Sequence, residues 1–352
     1  TMGTPRRTTR VKASALYFVA PRAVEARQVE LGPPGAGQLL VATRLSAISA
    51  GTEMLIYRGL APQDMATDAT LPGLPGMLRY PLPYGYAAVG RVLDVGPGVG
   101  PEWLGQRVFA YHPHASHFLT PVDQALRLEE NVADEDAVFI PNLETAVSLV
   151  QDGRPVVGEA VAVFGQGILG LLVTRLLSRV PLGALVALDR YPLRRQAALE
   201  SDPTACLDPA ASDVHEQLTQ ALPAGKADLT FELSGDPRAL NQALSITGFS
   251  GRVVLGSWYG TQSVQLDLGG EFHRSRIQIV SSQVSTIAPE LSGRWTKQRR
   301  LQAALSFLPT IAPRRWITHT FDFADAPQAY GLLDTQPEAA LQVVLRYPET
   351  EA

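Results

Sequence analysis

Residues Ala160 to Gly170 read Ala-Val-Ala-Val-Phe-Gly-Gln-Gly-Ile-Leu-Gly, and this stretch decides the fold. Ala160–Phe164 is a short apolar run, which is typical of a strand buried on both faces of a parallel sheet. Gly165, Gly167 and Gly170 follow at once in the spacing G-x-G-x-x-G. That spacing alone is a weak signal, but a strand directly before it favours a dinucleotide-binding turn.

The residues after the glycines complete the pattern. Leu169–Leu177 carries apolar residues at helical intervals, and a second apolar run, Ala184–Leu188, ends on Asp189. A helix N-terminus offers unpaired N–H groups and a partial positive charge to phosphates. The sequence therefore predicts a strand, a tight turn, a helix, a second strand and an acid, the arrangement that binds a dinucleotide.

Each glycine and the acid have a predicted role. Gly165 permits the tight turn, Gly167 lets the backbone approach a pyrophosphate, and Gly170 lets the helix pack closely on the strand. Asp189 is expected to accept hydrogen bonds from the adenosine ribose. The other residues predicted to bind the cofactor are Ile168, Leu169, Arg190, Arg194, Ser234, Gly256 and Trp258. For Trp258 the alternative is core packing, and for the whole pattern it is a glycine turn that binds nothing.

Asp189 also bears on the choice of cofactor. A carboxylate at this position repels a 2′-phosphate, so the sequence favours NAD(H). Arg190, Arg194 and Arg195 follow it and could hold that phosphate instead, which leaves NADP(H) open. A solvated helix start is the other interpretation of these arginines.

Composition sets the broad class. The chain has 352 residues, of which 45% are hydrophobic and 18% charged, and its net charge is −4. This is typical of a soluble globular protein with two domains, and we expect a cytoplasmic enzyme with a small-molecule substrate, no nucleic-acid partner and no membrane association. The single cysteine, Cys206, excludes a disulfide within the chain and any zinc site that needs two thiolates.

The segments before and after the dinucleotide motif differ in type. From Val11 to Gly100 the pattern is short strands separated by glycine and proline, whereas beyond Asp189 strands and helices alternate. The alternation predicts an α/β, doubly wound parallel sheet. We expect a Rossmann domain over residues 139–299 and a discontinuous β-rich domain over residues 1–138 and 300–352.

This order of domains resembles the medium-chain dehydrogenase/reductase superfamily. Besides the glycine motif, the resemblance rests on Gly85–Val92, Gly105–Val108 and Phe231–Gly235. The segment Ile48–Gly59 is most similar to the branch of bacteriochlorophyllide-type dehydrogenases. The resemblance implies a GroES-like catalytic domain beside the Rossmann domain and an NAD(P)-dependent oxidoreductase.

The chain departs from the zinc-dependent members of that superfamily. They have a cysteine near Ile48–Ala50, Gly-His-Glu where this chain has Gly85–Ala87, and a third ligand at about Pro141 and Asn142. A short loop, Tyr111–His117, replaces their four-cysteine lobe. We therefore expect no zinc and no other metal, so that hydrogen-bond donors must stabilise the substrate oxygen.

The resemblance indicates which side chains lie beside the substrate. Ser49 or Thr52 could donate to the substrate oxygen and pass a proton onward, and Tyr86 could supply a phenolic donor. Glu53 could be a base or a metal ligand, but is expected to pair with Arg58 or to cap a helix. Glu144 could orient Tyr86 or a histidine, or simply face water.

Three histidines follow the strand that ends near Ala110. His112 or His114 could accept the proton released when an alcohol is oxidised, because imidazole titrates near neutral pH. Together with His117 they could instead bind a metal outside the superfamily pattern, or be polar loop residues.

Three functions compete at this level. The first is a zinc-independent oxidoreductase that transfers hydride between a nicotinamide and a secondary alcohol or ketone. The second is a zinc-free reductase of an enone or quinone C=C bond, and the third is a non-catalytic nucleotide-binding protein. The resemblance also predicts a homodimer through the edge strand at Ile277–Gln283. The substrate and the direction of reaction cannot be read from the sequence.

Overall fold

The computed structural model describes residues 10–68, 74 and 76–348, and the chain divides into two compact units. The β-rich unit comprises the described residues up to Phe139 together with Pro313–Thr335 and those from Gln342 onward. The nucleotide unit comprises Ile140–Ala312 and Gln336–Leu341. No helix of the described chain is long and apolar enough to span a membrane.

The elements of both units are numbered in chain order. The strands are β1 (Val11–Ala20), β2 (Ala23–Leu31), β3 (Gln38–Ala47), β4 (Leu82–Pro83), β5 (Ala88–Val95), β6 (Arg107–Ala110), β7 (His117–Pro121), β8 (Ala125–Arg127), β9 (Ala160–Phe164), β10 (Ala184–Leu188), β11 (Ala205–Leu207), β12 (Ala227–Glu232), β13 (Thr247–Leu255), β14 (Gln278–Ser281), β15 (Ile317–Asp322) and β16 (Gln342–Arg346). The α-helices are α1 (Thr52–Tyr57), α2 (Asp134–Ala137), α3 (Ile140–Gly153), α4 (Ile168–Leu177), α5 (Pro192–Leu199), α6 (Val214–Ala221), α7 (Ala239–Ile246), α8 (Lys297–Ile311) and α9 (Ala326–Thr335).

The nucleotide unit is built on one parallel sheet in the order β11-β10-β9-β12-β13-β14. All residues of β9 and β10 are buried, because helices cover both faces of a parallel sheet and leave no strand face for water. The chain reverses its direction of winding between β9 and β12, which creates a crevice at the carboxyl ends of these strands. The predicted α/β fold with a doubly wound sheet is confirmed.

The β-rich unit contains two sheets. β1 pairs antiparallel with β2 and β4, and a larger sheet runs β15-β16-β3-β5-β6-β8, with β7 also pairing to β3. An apolar core that includes Leu39, Val41, Val108 and Phe118 lies on one face of the larger sheet. β16 adds to β3 by antiparallel pairing, so the C-terminal elements return to the first unit as the sequence analysis expects.

The unit boundary differs from the expected one. The sequence analysis assigns residues from 300 onward to the β-rich domain, but α8 belongs to the nucleotide unit and the boundary lies at Ala312. The reason is Arg300, which is 1% exposed and donates to Glu144 on α3 and to the carbonyl oxygens of Val284 and Thr286. A buried guanidinium with these partners fixes α8 against α3.

Candidate functional site

The dinucleotide motif lies at the crevice of the parallel sheet. Gly165 has φ +85°, and a Cβ there would lie 2.6 Å from the carbonyl carbon of Leu233. A Cβ at Gly170 would lie 1.8 Å from the carbonyl oxygen of Gly165, so α4 packs directly on the turn. Both positions therefore require glycine for the fold itself.

Gly167 differs from its two neighbours in the motif. It precedes α4 with extended backbone at φ −66° and ψ −177°, and only Arg194 Nη1 lies near its Cβ position, at 3.8 Å. The first bond of the helix runs from the Leu171 N–H to the Gly167 carbonyl. The N–H groups of Ile168, Leu169 and Gly170 thus have no acceptor within the helix, and they suit the phosphates of a dinucleotide.

Asp189 joins the end of β10 to the glycine turn. Its Oδ2 accepts the Gln166 N–H at 2.8 Å and its Oδ1 accepts the Tyr191 N–H at 2.8 Å, and the residue is 5% exposed. Each carboxylate oxygen can accept more than one hydrogen bond. The hydrogen bonds that the structure shows for this carboxylate hold the backbone of the glycine turn and of the segment after β10. The expected contact with the ribose stays a prediction.

The arginines after Asp189 gather around Tyr191. The guanidinium carbons of Arg190 and Arg194 lie 5.0 Å and 4.9 Å from the centroid of this ring, a cation–π distance. Arg194 Nη1 lies 3.8 Å from Asp189 Oδ2, and its Nη2 donates to the Pro337 carbonyl. Arg190 is exposed. Positive charge therefore stands beside the acid, which keeps NADP(H) as an alternative cofactor.

The carboxyl ends of β12 and β13 contain the remaining predicted cofactor residues. The Ser234 N–H donates to Glu232 Oε1 at 2.8 Å, and the Ser234 hydroxyl donates to the same oxygen. A Cβ at Gly256 would lie 2.5 Å from the Leu233 side chain, so Gly256 is a packing position as well. Trp258 is half-buried at this edge. Contact of Ser234, Gly256 and Trp258 with a cofactor stays a prediction.

The β-rich unit brings the predicted hydroxyl groups together. The Tyr86 hydroxyl donates to Ser49 Oγ at 2.6 Å, and the Thr52 N–H donates to the same oxygen at 3.2 Å. All three residues are half-buried, and we call them the hydroxyl cluster. Burial raises the pKa of Tyr86, although hydrogen bonding with the Ser49 and Thr52 side chains opposes the shift. The phenol is therefore protonated at neutral pH and is a donor rather than a base.

Glu53 lies directly beneath this cluster and is fully buried. Its Oε1 accepts the Ser49 N–H at 2.9 Å, and its Oε2 accepts the Tyr330 hydroxyl. The expected pairing with Arg58 is wrong, since Arg58 donates to Asp334 at 2.7 Å instead. Glu53 lies in the first turn of α1, whose N-cap residue Gly51 has no side-chain capping hydrogen bond, and its carboxylate instead holds the Ser49 N–H ahead of the helix.

His114 connects Glu53 to Ser46 and Tyr347 in a buried network of hydrogen bonds. Its Nε2 lies 3.0 Å from Glu53 Oε2, its Nδ1 lies 2.7 Å from Ser46 Oγ, and Ser46 Oγ lies 2.9 Å from the Tyr347 hydroxyl. A carboxylate only accepts, so Nε2 carries a proton. Because His114 is fully buried and both ring nitrogens are occupied, it is placed to hold Glu53 and not to take a proton from a substrate.

The other two histidines do not join it in a metal site. The His112 ring stacks on Phe118 with centroids 4.3 Å apart, and its Nδ1 donates to the Pro113 carbonyl. Burial lowers the pKa of His112 to about 4, so a general base at this position is poorly matched to neutral pH. His117 Nδ1 faces Ser116 Oγ. Across the described residues, no three His, Cys, Asp or Glu side chains converge closely enough to hold a metal ion.

Glu144 forms a buried ion pair that the sequence does not predict. It lies on α3 in the nucleotide unit, and its Oε1 accepts from Arg300 Nη2 at 3.1 Å and from Nε at 3.3 Å. Ser148, one turn further along α3, accepts from Nη1 of the same arginine. The alternative that Glu144 simply faces water is wrong, because the residue is buried, while a role in orienting Tyr86 or a histidine stays a prediction. Its arginine partner lies 156 residues away in the chain, so the local sequence around Glu144 does not reveal it.

Comparison with known proteins agrees with this fold. Residues 169–301 match the family described as zinc-binding dehydrogenase. D-guloside 3-dehydrogenase of Escherichia coli is 23% identical over 93% of this chain and 98% of its own length. The 2-desacetyl-2-hydroxyethyl bacteriochlorophyllide A dehydrogenase of Cereibacter sphaeroides is 23% identical over 97% of this chain and 100% of its own. A crystal structure of the alcohol dehydrogenase rspB from E. coli with NADH has a TM-score of 0.76, at 21% identity, over 95% of this chain and 99% of that one.

These findings first define the class of the protein, which is an oxidoreductase with a nicotinamide-binding fold. Over residues 169–301 the chain is similar to the zinc-binding dehydrogenases, and over most of its length it is similar to several dehydrogenases of known activity. The predicted enzyme class, an oxidoreductase, is confirmed, and a bacteriochlorophyllide dehydrogenase is among the similar proteins, as the resemblance of Ile48–Gly59 implies.

The family description raises the question of a catalytic zinc ion. Zinc in proteins is held by thiolate, imidazole or carboxylate groups. Ser49 and Tyr86 are instead bonded to each other as neutral hydroxyls, and the raised pKa of Tyr86 opposes a phenolate ligand. Glu53 and His114, the nearest groups of the right chemistry, already bond to each other. This donor set does not suit a zinc ion.

Proposed function

We propose that this protein is a zinc-independent, nicotinamide-dependent oxidoreductase that interconverts a secondary alcohol and a ketone of a small molecule. The observation that carries the proposal is the hydroxyl cluster of Ser49, Thr52 and Tyr86, which stands where zinc-dependent relatives are expected to hold their metal. A complete dinucleotide motif in the nucleotide unit supports the cofactor requirement.

The residues of this chain divide the work. A bound nicotinamide supplies or accepts the hydride. The N–H groups that begin α4 hold the pyrophosphate, and Asp189 keeps the turn in shape through the Gln166 N–H. Tyr86 turns its single hydroxyl hydrogen from Ser49 Oγ to the substrate oxygen and supplies that proton on reduction, while the Ser49 hydroxyl then donates to the phenol oxygen and holds it in place. Glu53 fixes Ser49 in turn through its backbone N–H.

We further propose that the cofactor is NAD(H). Asp189 supports it, because a carboxylate repels the 2′-phosphate of NADP(H). The arginines at 190 and 194 are the reason to test both forms. Calorimetric titration with NADH and NADPH decides the question: the proposal expects NADH to bind at least tenfold more tightly, and a preference for NADPH contradicts it.

The test of metal independence is turnover after exhaustive chelation. The expected result is full activity in excess EDTA or phenanthroline, with no zinc detected by elemental analysis of the active protein. Activity that vanishes on chelation and returns with zinc overturns the proposal. A zinc-dependent alcohol dehydrogenase run in parallel shows that the chelator is effective.

A substrate panel separates this reaction from its nearest competitor. Secondary alcohols, their ketones and matched enones are offered with NAD(H) and NADP(H). The proposal expects turnover of alcohols and ketones. Turnover of enones alone identifies a C=C reductase, a reaction for which a neutral Tyr86 phenol could also donate the proton.

We also propose a homodimer. The strand β14 ends the parallel sheet, and its residues are only half-buried or exposed. An open strand edge can pair with a second copy of the same strand around a twofold axis. Sedimentation at micromolar concentration is expected to give a dimer, and a monomer contradicts it.

A further inference from the structure

Glu232 is a fully buried carboxylate at the carboxyl end of β12. Its Oε1 accepts from the N–H and the hydroxyl of Ser234, and its Oε2 accepts from the Tyr259 hydroxyl at 2.5 Å. Among the described residues, no lysine, arginine or histidine forms an ion pair with it. The nearby acid Asp236 has its own cation in Arg238, at 2.7 Å.

The donors around Glu232 select its ionised form. All three contacts bring a hydrogen to the carboxyl oxygens, and an ionised carboxylate is the form that only accepts. Burial and the adjacent carboxylate together raise the pKa of Tyr259, so the phenol keeps its proton and continues to donate. The result is a buried negative charge held by neutral donors, which is costly unless something positive comes near it.

The sheet order indicates what comes near it. Asp189 follows β10, on one side of the switch point, and the pyrophosphate site at the start of α4 follows β9. A dinucleotide with its adenosine beside Asp189 must cross the switch point, so that its nicotinamide half lies over the ends of β12 and β13. These ends are Glu232 to Ser234 and the segment that contains Tyr259.

We propose that Glu232 makes this site prefer the oxidised cofactor, by stabilising the positive charge that the nicotinamide ring carries only in that form. The inference rests on the proposed nicotinamide site and adds a residue that tunes it. Glu232 acts through charge and is not a catalytic residue. It favours the oxidised form in the binary complex. Because hydride transfer from a substrate alcohol removes the positive charge from the ring, Glu232 disfavours that transfer and favours reduction of the ketone by the bound reduced cofactor.

The size of the effect follows from Coulomb's law. At an effective dielectric constant of about 20, unit charges roughly 12 Å apart change an affinity ratio by about tenfold. Screening by solvent reduces this tenfold effect, so the ratio of affinities must change by at least threefold to support the proposal.

The experiment compares dissociation constants for the oxidised and reduced forms of the dinucleotide that the wild type binds, measured by calorimetry. Glu232→Gln keeps the shape and removes the charge, so the affinity for the oxidised form falls threefold to tenfold relative to the reduced form. Glu159→Gln is the matched control, because Glu159 pairs with Arg252 at the opposite end of β9. It is expected to leave the ratio unchanged.

Two results overturn the inference: an unchanged ratio in Glu232→Gln, or an equal loss of affinity for both forms, which indicates a merely structural role. If Glu232→Gln does not fold, Tyr259→Phe decides, since it removes a donor and keeps the charge. If Tyr259→Phe keeps the wild-type ratio of affinities for the oxidised and reduced forms, the inference is supported. If its affinity for both forms falls more than tenfold, the inference is contradicted. A wild type that binds neither form refutes the proposed function itself.

Discussion

Alanine at Gly167 separates the fold of the nucleotide unit from its proposed ligand. The backbone there lies at φ −66° and ψ −177°, which alanine adopts without strain, and the Cβ would meet nothing closer than Arg194 Nη1 at 3.8 Å. The free energy of unfolding should therefore change by no more than about 1 kcal/mol. The new methyl group instead occupies the space through which a pyrophosphate approaches the first turn of α4.

The expected loss of affinity follows from the hydrogen bonds that the methyl group prevents. A hydrogen bond to a charged group contributes about 1.5–3 kcal/mol, so losing one N–H contact with phosphate weakens cofactor binding by roughly ten- to 150-fold. Calorimetry with NADH and urea-induced unfolding measure the two quantities. Gly293→Ala is the matched control, because its Cβ also meets nothing within 4 Å and it lies outside the motif.

Gly170→Ala gives the opposite pattern and tests the same reasoning. Its Cβ would lie 1.8 Å from the Gly165 carbonyl oxygen, so α4 must move and the nucleotide unit loses about 3 kcal/mol or more. Wild-type affinity for NADH in Gly167→Ala would refute the placement of the cofactor on this turn. So would a loss of stability as large as that of Gly170→Ala.

Three further changes follow from the contacts described. Glu144→Gln leaves a buried guanidinium uncompensated and should lower the free energy of unfolding in urea by about 3–5 kcal/mol. Glu290→Gln, in an exposed pair, should leave it almost unchanged, and similar losses for both variants contradict the buried pairing. Tyr86→Phe should lower kcat about 10²- to 10⁴-fold with little change in the dissociation constant of NADH, and unaltered kcat removes the phenol from the chemistry. Burial lowers the pKa of His112 to about 4, so as the pH falls the imidazole is protonated first in the unfolded state, and the free energy of unfolding decreases between about pH 6.5 and 4. His112→Asn should make this decrease smaller when urea midpoints are measured against pH. An unchanged pH profile in the variant shows that other groups cause the decrease.

The nucleotide unit could be predicted from its sequence because its signals are local. Ala160–Phe164, the glycine spacing and Asp189 lie within one strand–helix–strand segment, and steric rules alone connect each glycine with its role. The hydroxyl cluster could also be named, since Ser49 and Thr52 are close in the chain and the resemblance adds Tyr86.

The contacts that escaped prediction join residues far apart in the chain. Tyr330 reaches Glu53 across a separation of 277 residues, and Arg300 reaches Glu144 across 156. Neither tyrosine nor arginine carries a sequence pattern that reveals its partner, because burial of a polar side chain depends on packing between distant elements. The sequence leaves the role of His114 open between proton acceptor, metal ligand and polar loop residue, because its spacing from His112 does not reveal the buried carboxylate of Glu53 beside it.

The pairing of β16 with β3 has a consequence for synthesis on the ribosome. Tyr347, which follows β16, and Ser46 on β3 are separated by 301 residues. β7 pairs with Gln38–Ala42, so only the edge of β3 at Leu45–Ala47 waits for β16, for roughly 15–60 seconds at about 5–20 residues per second. The nucleotide unit has most of its chain well before then, so nascent β3 is the segment that a chaperone would need to shield from pairing with other polypeptides.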